Sequence, residues 1–210
     1  MDPWLLGTRY DAIAQNWQQQ MQNSDYGLGA LKKALSYAAH YHNTLQAKAL
    51  DIGCGAGGRM IHGLVAAGYM VKGIDVSAAM LALAAEIHQD AIFELADICS
   101  WQTTEIFDFI LAWDSIFHVP YHSQQAVLES VCKMLKPGGV MLYTFGDDSG
   151  EHQSLWHDMY FYYSSLGIQK NIEILHSNGC TCLYMEADQF PLPHMVCIVR
   201  KEENSKSYSL

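Results

Sequence analysis

An α/β protein built on a doubly wound, mostly parallel sheet is expected from three features of the chain. Short apolar runs alternate with segments of helical period, a glycine-rich turn joins the first of those runs to the helix after it, and only residues 188–193 separate the last two runs. The 210 residues, half of them hydrophobic, suffice for one core. A single domain is therefore expected over 1–210: a helical cap (1–45), a central core (46–146), further helices with a terminal hairpin (147–201), and a polar tail (202–210).

The cap carries two helical patterns, one over residues 8–21 and one placing Leu28, Leu31, Leu35 and Ala38 on a single face. Residues 47–52 read as a strand. The glycine turn follows it and leads into a helix with Ile61, Leu64 and Val65 on one face. The unit repeats: residues 69–75 form a strand, Ser77 caps a helix bearing Met80, Leu81 and Ala84, and residues 91–96 form a third strand. A fourth strand, 107–113, leads to a helix with Val127, Leu128, Val131 and Leu135, which Pro137-Gly138-Gly139 stops before a fifth strand at 140–145. Such alternation implies right-handed crossovers and helices on both faces. Beyond it, an aromatic helix is expected over 155–166, then a shorter helix ending before Gly179. Strands at 180–187 and 194–200 should pair as an antiparallel hairpin.

The formal charge of −10, from 22 acidic and 12 basic residues, offers a nucleic-acid backbone no long-range attraction. No segment approaches the roughly 20 apolar residues needed to cross a bilayer, and the N-terminus lacks the basic start and apolar run of a secretory signal. The six cysteines lack CxxC spacing and read as buried free thiols of a reducing, cytoplasmic protein. No metal site is expected, since the pairs His40/His42 and His118/His122 lack a set of carboxylate or cysteine partners.

The turn itself, Gly53-Cys54-Gly55-Ala56-Gly57-Gly58, fits G-x-G-x-x-G, and lets backbone N–H groups at a helix N-terminus approach a ligand. Two ligand classes fit such a turn: a dinucleotide, or S-adenosylmethionine with its cationic amino group and sulfonium. Asp51, just before the glycines, would repel a pyrophosphate and attract a cation. Asp75, 24 residues further on at the end of the next strand, can accept both hydroxyls of a ribose in either ligand. Asp97 ends the third strand, where it can accept from an adenine amino group with Ile98 beside the ring, although an acid at a strand-ending turn is also commonplace.

Leu50-Asp51-Ile52-Gly53-Cys54-Gly55-Ala56-Gly57, Gly73-Ile74-Asp75-Val76-Ser77-Ala78-Ala79-Met80, Ala96-Asp97, Phe107-Asp108-Phe109-Ile110 and Leu135-Lys136-Pro137-Gly138-Gly139 follow one another as in class I S-adenosylmethionine-dependent methyltransferases. Residues 8–146 resemble the small-molecule subgroup of that family, and Tyr10 to Trp17 is similar to its N-terminal cap, where an aromatic residue closes over the cofactor. The resemblance implies a Rossmann-like methyltransferase fold of seven strands, the last antiparallel and inserted between the fifth and sixth. It also implies that Gly53, Cys54 and Gly55 approach the methionine moiety, that Asp75 and Val76 hold the ribose and flank adenine, that Met80 packs nearby, that Asp97 and Ile98 take the adenine edge, and that Trp113 lines the methionine end. A Met at helical spacing with Leu81 and Ala84, as Met80 is, is ordinarily core.

In-line methyl transfer needs a positioned nucleophile and little else, but a hydroxyl or ammonium acceptor requires a base. Bases are expected on the loops past the fourth and fifth strands, where His118 and His152 lie. Trp156, Tyr160 and Tyr163 share a face of the expected aromatic helix and form a candidate acceptor pocket. The sequence thus reads as a methyltransferase that converts S-adenosylmethionine to S-adenosylhomocysteine on a small organic acceptor, with no nucleic acid or membrane as partner. An NAD(P)-dependent oxidoreductase and a non-catalytic S-adenosylmethionine-binding protein are the alternative readings.

Overall fold

A computed structural model describes residues 1–38 and 46–203; His40, His42 and the tail from 204 lie outside the described residues. The helices are α1 (Pro3–Met21), α2 (Leu28–Ala38), α3 (Arg59–Ala66), α4 (Ala78–Ile87), α5 (Gln124–Met134) and α6 (Gly167–Ser177). The strands are β1 (Lys48–Ile52), β2 (Met70–Asp75), β3 (Ile92–Leu95), β4 (Phe107–Ala112), β5 (Leu135–Gly146), β6 (Ser149–Trp156), β7 (Met159–Leu166), β8 (Cys180–Ala187) and β9 (His194–Lys201).

Seven strands make the main sheet, in the order β3-β2-β1-β4-β5-β9-β8, with β9 antiparallel to both of its neighbours. The terminal hairpin and its insertion beside β5 match expectation. Alternation along the central strands fills both faces. Leu50, Ile52, Ile110, Met141 and Tyr143 point to one core with α5 and α6, whereas Ala49, Phe109, Leu111, Val140 and Leu142 point to another with α2 and α3. Every residue of β4 is buried, as a strand covered on both sides requires.

Local signals explain most boundaries. Ser77 caps α4 by accepting from the Met80 N–H, and Asp11 of α1 adds its own carboxylate there, accepting from Ser77 Oγ at 2.6 Å and Ala79 N at 2.9 Å. That contact ties the cap to the core. Helix α1 begins five residues earlier than expected because Asp2 caps it and Pro3 opens it without needing an N–H bond. On α3, Ile61 and Leu64 are buried but Val65 is 45 % exposed. Strand β5 starts at Leu135, ahead of Pro137-Gly138-Gly139, which are absorbed as an irregularity in its pairing with β4.

The expected aromatic helix over 155–166 is not formed. Strands β6 and β7 pair instead as a second hairpin, with Trp156 opposite Met159 across the two-residue loop His157-Asp158. In this pleated geometry Trp156, Tyr160 and Tyr163 do not share one face. The hairpin packs onto α1, with Phe161, Met159 and Trp156 against Leu6, Ile13 and Tyr10. The thiols also differ in part from expectation. All six are free, but only Cys132, Cys180 and Cys197 are buried, while Cys54 and Cys182 are half-buried and Cys99 is exposed. No helix among the described residues is long and apolar enough to cross a membrane.

Candidate functional site

Strand order reverses between β1 and β4, and a crevice at the carboxyl ends of the strands is the geometric consequence. A cavity of about 960 Å³ occupies it, roofed by α1 and the segment that follows. Tyr10, Trp17, Asp51, Gly53, Cys54, Gly55, Asp75, Val76, Met80, Asp97, Ile98, Trp113 and His118 all line it. His152, Trp156, Tyr160 and Tyr163 do not. Tyr160 is 57 % exposed, His152 is exposed and stacks on Tyr163 at 5.3 Å, and Trp156 meets Trp17 edge-on at 5.5 Å.

Parallel strands deliver the floor of the cavity. Gly53, Gly55 and Gly57 all have positive φ (70°, 54° and 66°), so the turn after β1 can bend back and offer its N–H groups inward. Asp75, from the end of β2, stabilises that bend: Oδ2 accepts from Gly55 N at 2.8 Å and Oδ1 from Ser77 N at 2.9 Å. Each oxygen keeps a lone pair for a further donor. Asp51 is 3 % exposed, and its carboxylate has no hydrogen-bond partner among the described residues. Burial, and then the nearby Asp75, push its carboxyl up to about 8. Burial likewise raises Asp75, against the pull of its backbone donors.

The far wall is aromatic. Trp113 directly follows β4 with its indole edge-on to Tyr26 at 5.2 Å, and both Trp113 Nε1 and Ser115 Oγ are buried without a partner among the described residues. Met80 is fully buried with Ala14 and Ala56, so it serves as core where α1 meets α4 while also touching the cavity. His118 sits in the short helical turn after β4. Its Nδ1 is 2.7 Å from the Tyr162 carbonyl and its Nε2 2.8 Å from the Tyr10 hydroxyl. A carbonyl only accepts, so Nδ1 carries the proton and Nε2 accepts from Tyr10. Burial depresses this imidazole to about 4, which keeps it neutral.

Sequence reasoning missed three groups here: Asp114, Arg59 and Tyr26. Asp114 lines the cavity at φ 52°, a left-handed conformation that a residue with a Cβ seldom adopts. Arg59 opens α3, bonds the Tyr26 carbonyl through Nε, and lies over the Tyr26 ring. Only the strained backbone of Asp114 marks it as special, and strain is invisible in a sequence.

Residues 49–139 match the family model described as a methyltransferase domain. Over that stretch the chain is similar to S-adenosylmethionine-dependent methyltransferases. Among the curated proteins that this chain is similar to, the phosphoethanolamine N-methyltransferase of Plasmodium falciparum (isolate 3D7) is 32% identical over 139 residues, 64% of this chain and 50% of that protein. The ubiquinone biosynthesis O-methyltransferase of Shewanella sp. (strain ANA-3) is 28% identical over 103 residues, 46% of this chain and 42% of that one. The match thus spans half the length or less of these curated relatives. The N-methyltransferase NodS of Bradyrhizobium japonicum WM9, solved with S-adenosylhomocysteine, shares the fold at TM-score 0.70 and 17% identity, covering 97% of this chain and 100% of that one.

Proposed function

We propose that this protein transfers the methyl group of S-adenosylmethionine to a small organic amine. The observation that carries the first half of this reading is Asp51, a buried carboxyl without a partner at the foot of a glycine turn. A cation placed there would draw it into its ionised form, whereas a pyrophosphate would be repelled. That favours the amino-acid end of S-adenosylmethionine over a dinucleotide. Gly53, Cys54 and Gly55 would hold that end, Asp75 the ribose hydroxyls, and Asp97 and Ile98 the adenine edge, with Trp17 and Trp113 enclosing the whole. When bound, the cofactor supplies a methyl group on a sulfonium, activated for in-line displacement.

Charge supports the choice of acceptor. Asp25, Asp51, Asp75, Asp97 and Asp114 line the cavity against one guanidinium, Arg59, whose Nε is already engaged with Tyr26. Such a wall suits a neutral or cationic acceptor and disfavours one bearing a phosphate or carboxylate. An amine must reach the reaction unprotonated, and Tyr10 with His118 can assist it. The Tyr10 hydroxyl donates to His118 Nε2, which leaves its oxygen lone pairs free to accept an N–H from the acceptor. His152 plays no part in this reading, because it lies outside the cavity.

Parallel calorimetric titrations with S-adenosylhomocysteine and NAD test the cofactor assignment. Binding of the first and not the second is expected. Asp75→Ala should weaken S-adenosylhomocysteine by about 1.5–3 kcal/mol per lost charged hydrogen bond. Binding of NAD alone would refute the assignment. Methyl transfer to ethanolamine in preference to phosphoethanolamine tests the acceptor class.

A further inference from the structure

His194 lies outside the cavity lining and in none of the motifs above, yet both of its ring nitrogens face carboxylates. Nε2 is 2.9 Å from Asp114 Oδ1, and Nδ1 is bonded to Asp188 Oδ1. A neutral imidazole has a single N–H, so either tautomer would turn a lone pair toward one of the two acids. Only an imidazolium donates to both. The three side chains are well buried to half-buried, with 11 % of His194, 15 % of Asp188 and 28 % of Asp114 exposed. Burial opposes the charge on the ring, and the two carboxylates outweigh it, so His194 titrates above its ordinary value.

What this pairing fixes is Asp114. Its backbone N–H donates to Thr144 Oγ1 at 2.8 Å, and its Oδ1 receives both Thr144 Oγ1 and His194 Nε2. Strands β5 and β9 therefore grip one oxygen from behind, while Oδ2 has no partner among the described residues and belongs to a cavity-lining side chain. Asp188 is shared in turn with the Tyr26 hydroxyl at 3.3 Å, and Tyr26 packs on Trp113. Other groups near this cluster are few. Arg59 attracts Asp114, the phenols of Tyr10, Tyr26 and Tyr163 and the neutral His118 feel its charge, and Phe117 and Trp113 shield the His194 ring at 6.0 Å and 6.4 Å. None of these replaces the second N–H that an unprotonated His194 would lack.

We propose that His194 is a positioning residue for the methyl acceptor: as an imidazolium held by Asp188, it orients the Asp114 carboxylate to receive the acceptor's nitrogen. This inference rests on the reading of the cavity as an amine methylation site. Loss of the proton turns one of the two contacts repulsive and frees Asp114 to rotate. Acceptor binding should then fail on the alkaline side, while the cofactor, which His194 does not touch, should bind as before.

The test uses the full chain and three readouts. By NMR, the His194 imidazole should titrate above the usual 6.5 or so of a free histidine, and Asp114→Asn and Asp188→Asn should each lower it. With ethanolamine as acceptor, His194→Gln should raise KM about 10-fold, keep kcat within about 3-fold, and abolish the alkaline loss of kcat/KM expected in the parent. By calorimetry, S-adenosylhomocysteine affinity should be unchanged in that variant. A His194 that titrates at or below the ordinary value, an unaltered KM and pH profile in His194→Gln, or a parallel loss of S-adenosylhomocysteine affinity would each overturn the inference. Normal binding of S-adenosylhomocysteine with no transfer to any amine sinks the functional reading itself, which separates the two failures.

Discussion

Three glycines of one turn have positive φ, but their surroundings assign them different work. A Cβ on Gly57 would lie 2.7 Å from Ala84 Cβ and 3.0 Å from Ala84 Cα, where α4 backbone leaves no room. On Gly53 it would press within 2.4 Å of Ser115 Cβ. On Gly55 the nearest atom is Trp17 Nε1 at 4.0 Å, so that position faces open space in the cavity. Gly57→Ala combines a left-handed backbone with overpacking and should cost about 2–4 kcal/mol of stability. Gly55→Ala carries only the left-handed penalty of about 1–2 kcal/mol, and its main effect should be on ligand affinity. Urea titrations with and without S-adenosylhomocysteine separate these effects, and equal destabilisation by the two variants would show that the packing argument is misplaced. The glycine pattern was legible in the sequence, but the division of labour within it was not, because Ala84 and Ser115 reach the turn only through the tertiary fold.

Elements with strong periodicity were legible on the same physical grounds that make them stable. Short apolar runs marked β1, β2 and β4, and a hydroxyl cap marked α4. The β6–β7 hairpin escaped because Trp156, Tyr160 and Tyr163 happen to fall at helical intervals, and because its turn lacks the usual signal. His157 and Asp158 both adopt positive φ (46° and 58°), a conformation that hairpin loops ordinarily assign to Asn-Gly or Asp-Gly. Tertiary contacts hold the element in place instead. Gln124, buried at the start of α5, donates through Nε2 to Ile116 O at 3.2 Å, Ser164 O at 2.7 Å and Ser164 Oγ at 2.8 Å, joining helix, loop and hairpin. Gln124→Ala strands these acceptors away from water and should destabilise the protein by about 2–3 kcal/mol. Hydrogen exchange should accelerate in residues 149–166 before it does in β4 or β5. Uniform acceleration across the molecule would mean that the hairpin is not held by this residue in particular. The Asp114–His194–Asp188 cluster was equally illegible, since its members meet only when the terminal hairpin docks beside β5.

The sheet as a whole collects acids at one end: Asp51 is the penultimate residue of β1, β2 ends in Asp75, and Asp97 and Asp114 follow β3 and β4. Gathering like charges in a crevice destabilises the ligand-free fold and prepares it for a cation, so ligand affinity and global stability should be linked through pH. The sign follows from Asp51. Its carboxyl is raised from the ordinary aspartate range to about 8 in the folded state, so its contribution is fully present below about pH 4 and is lost as pH climbs through 8. The raised carboxyl of Asp75 and the raised imidazole of His194 act in the same direction. A bound ammonium pairs with the ionised Asp51, so the protein should gain more from S-adenosylhomocysteine at pH 8 than at pH 6. At about 100 times Kd a ligand contributes about 2.7 kcal/mol, and the gain grows further as Kd falls. Asp51→Asn removes the titrating group. The free variant should be about 1–3 kcal/mol more stable than its parent at pH 8, through loss of a buried unpaired charge, and its response to ligand should be flat between pH 6 and pH 8. Thermal melts of both proteins across that range, with and without S-adenosylhomocysteine, measure all four quantities. A parent whose ligand-induced shift in Tm does not change with pH would mean that Asp51 does not face the ligand's cation.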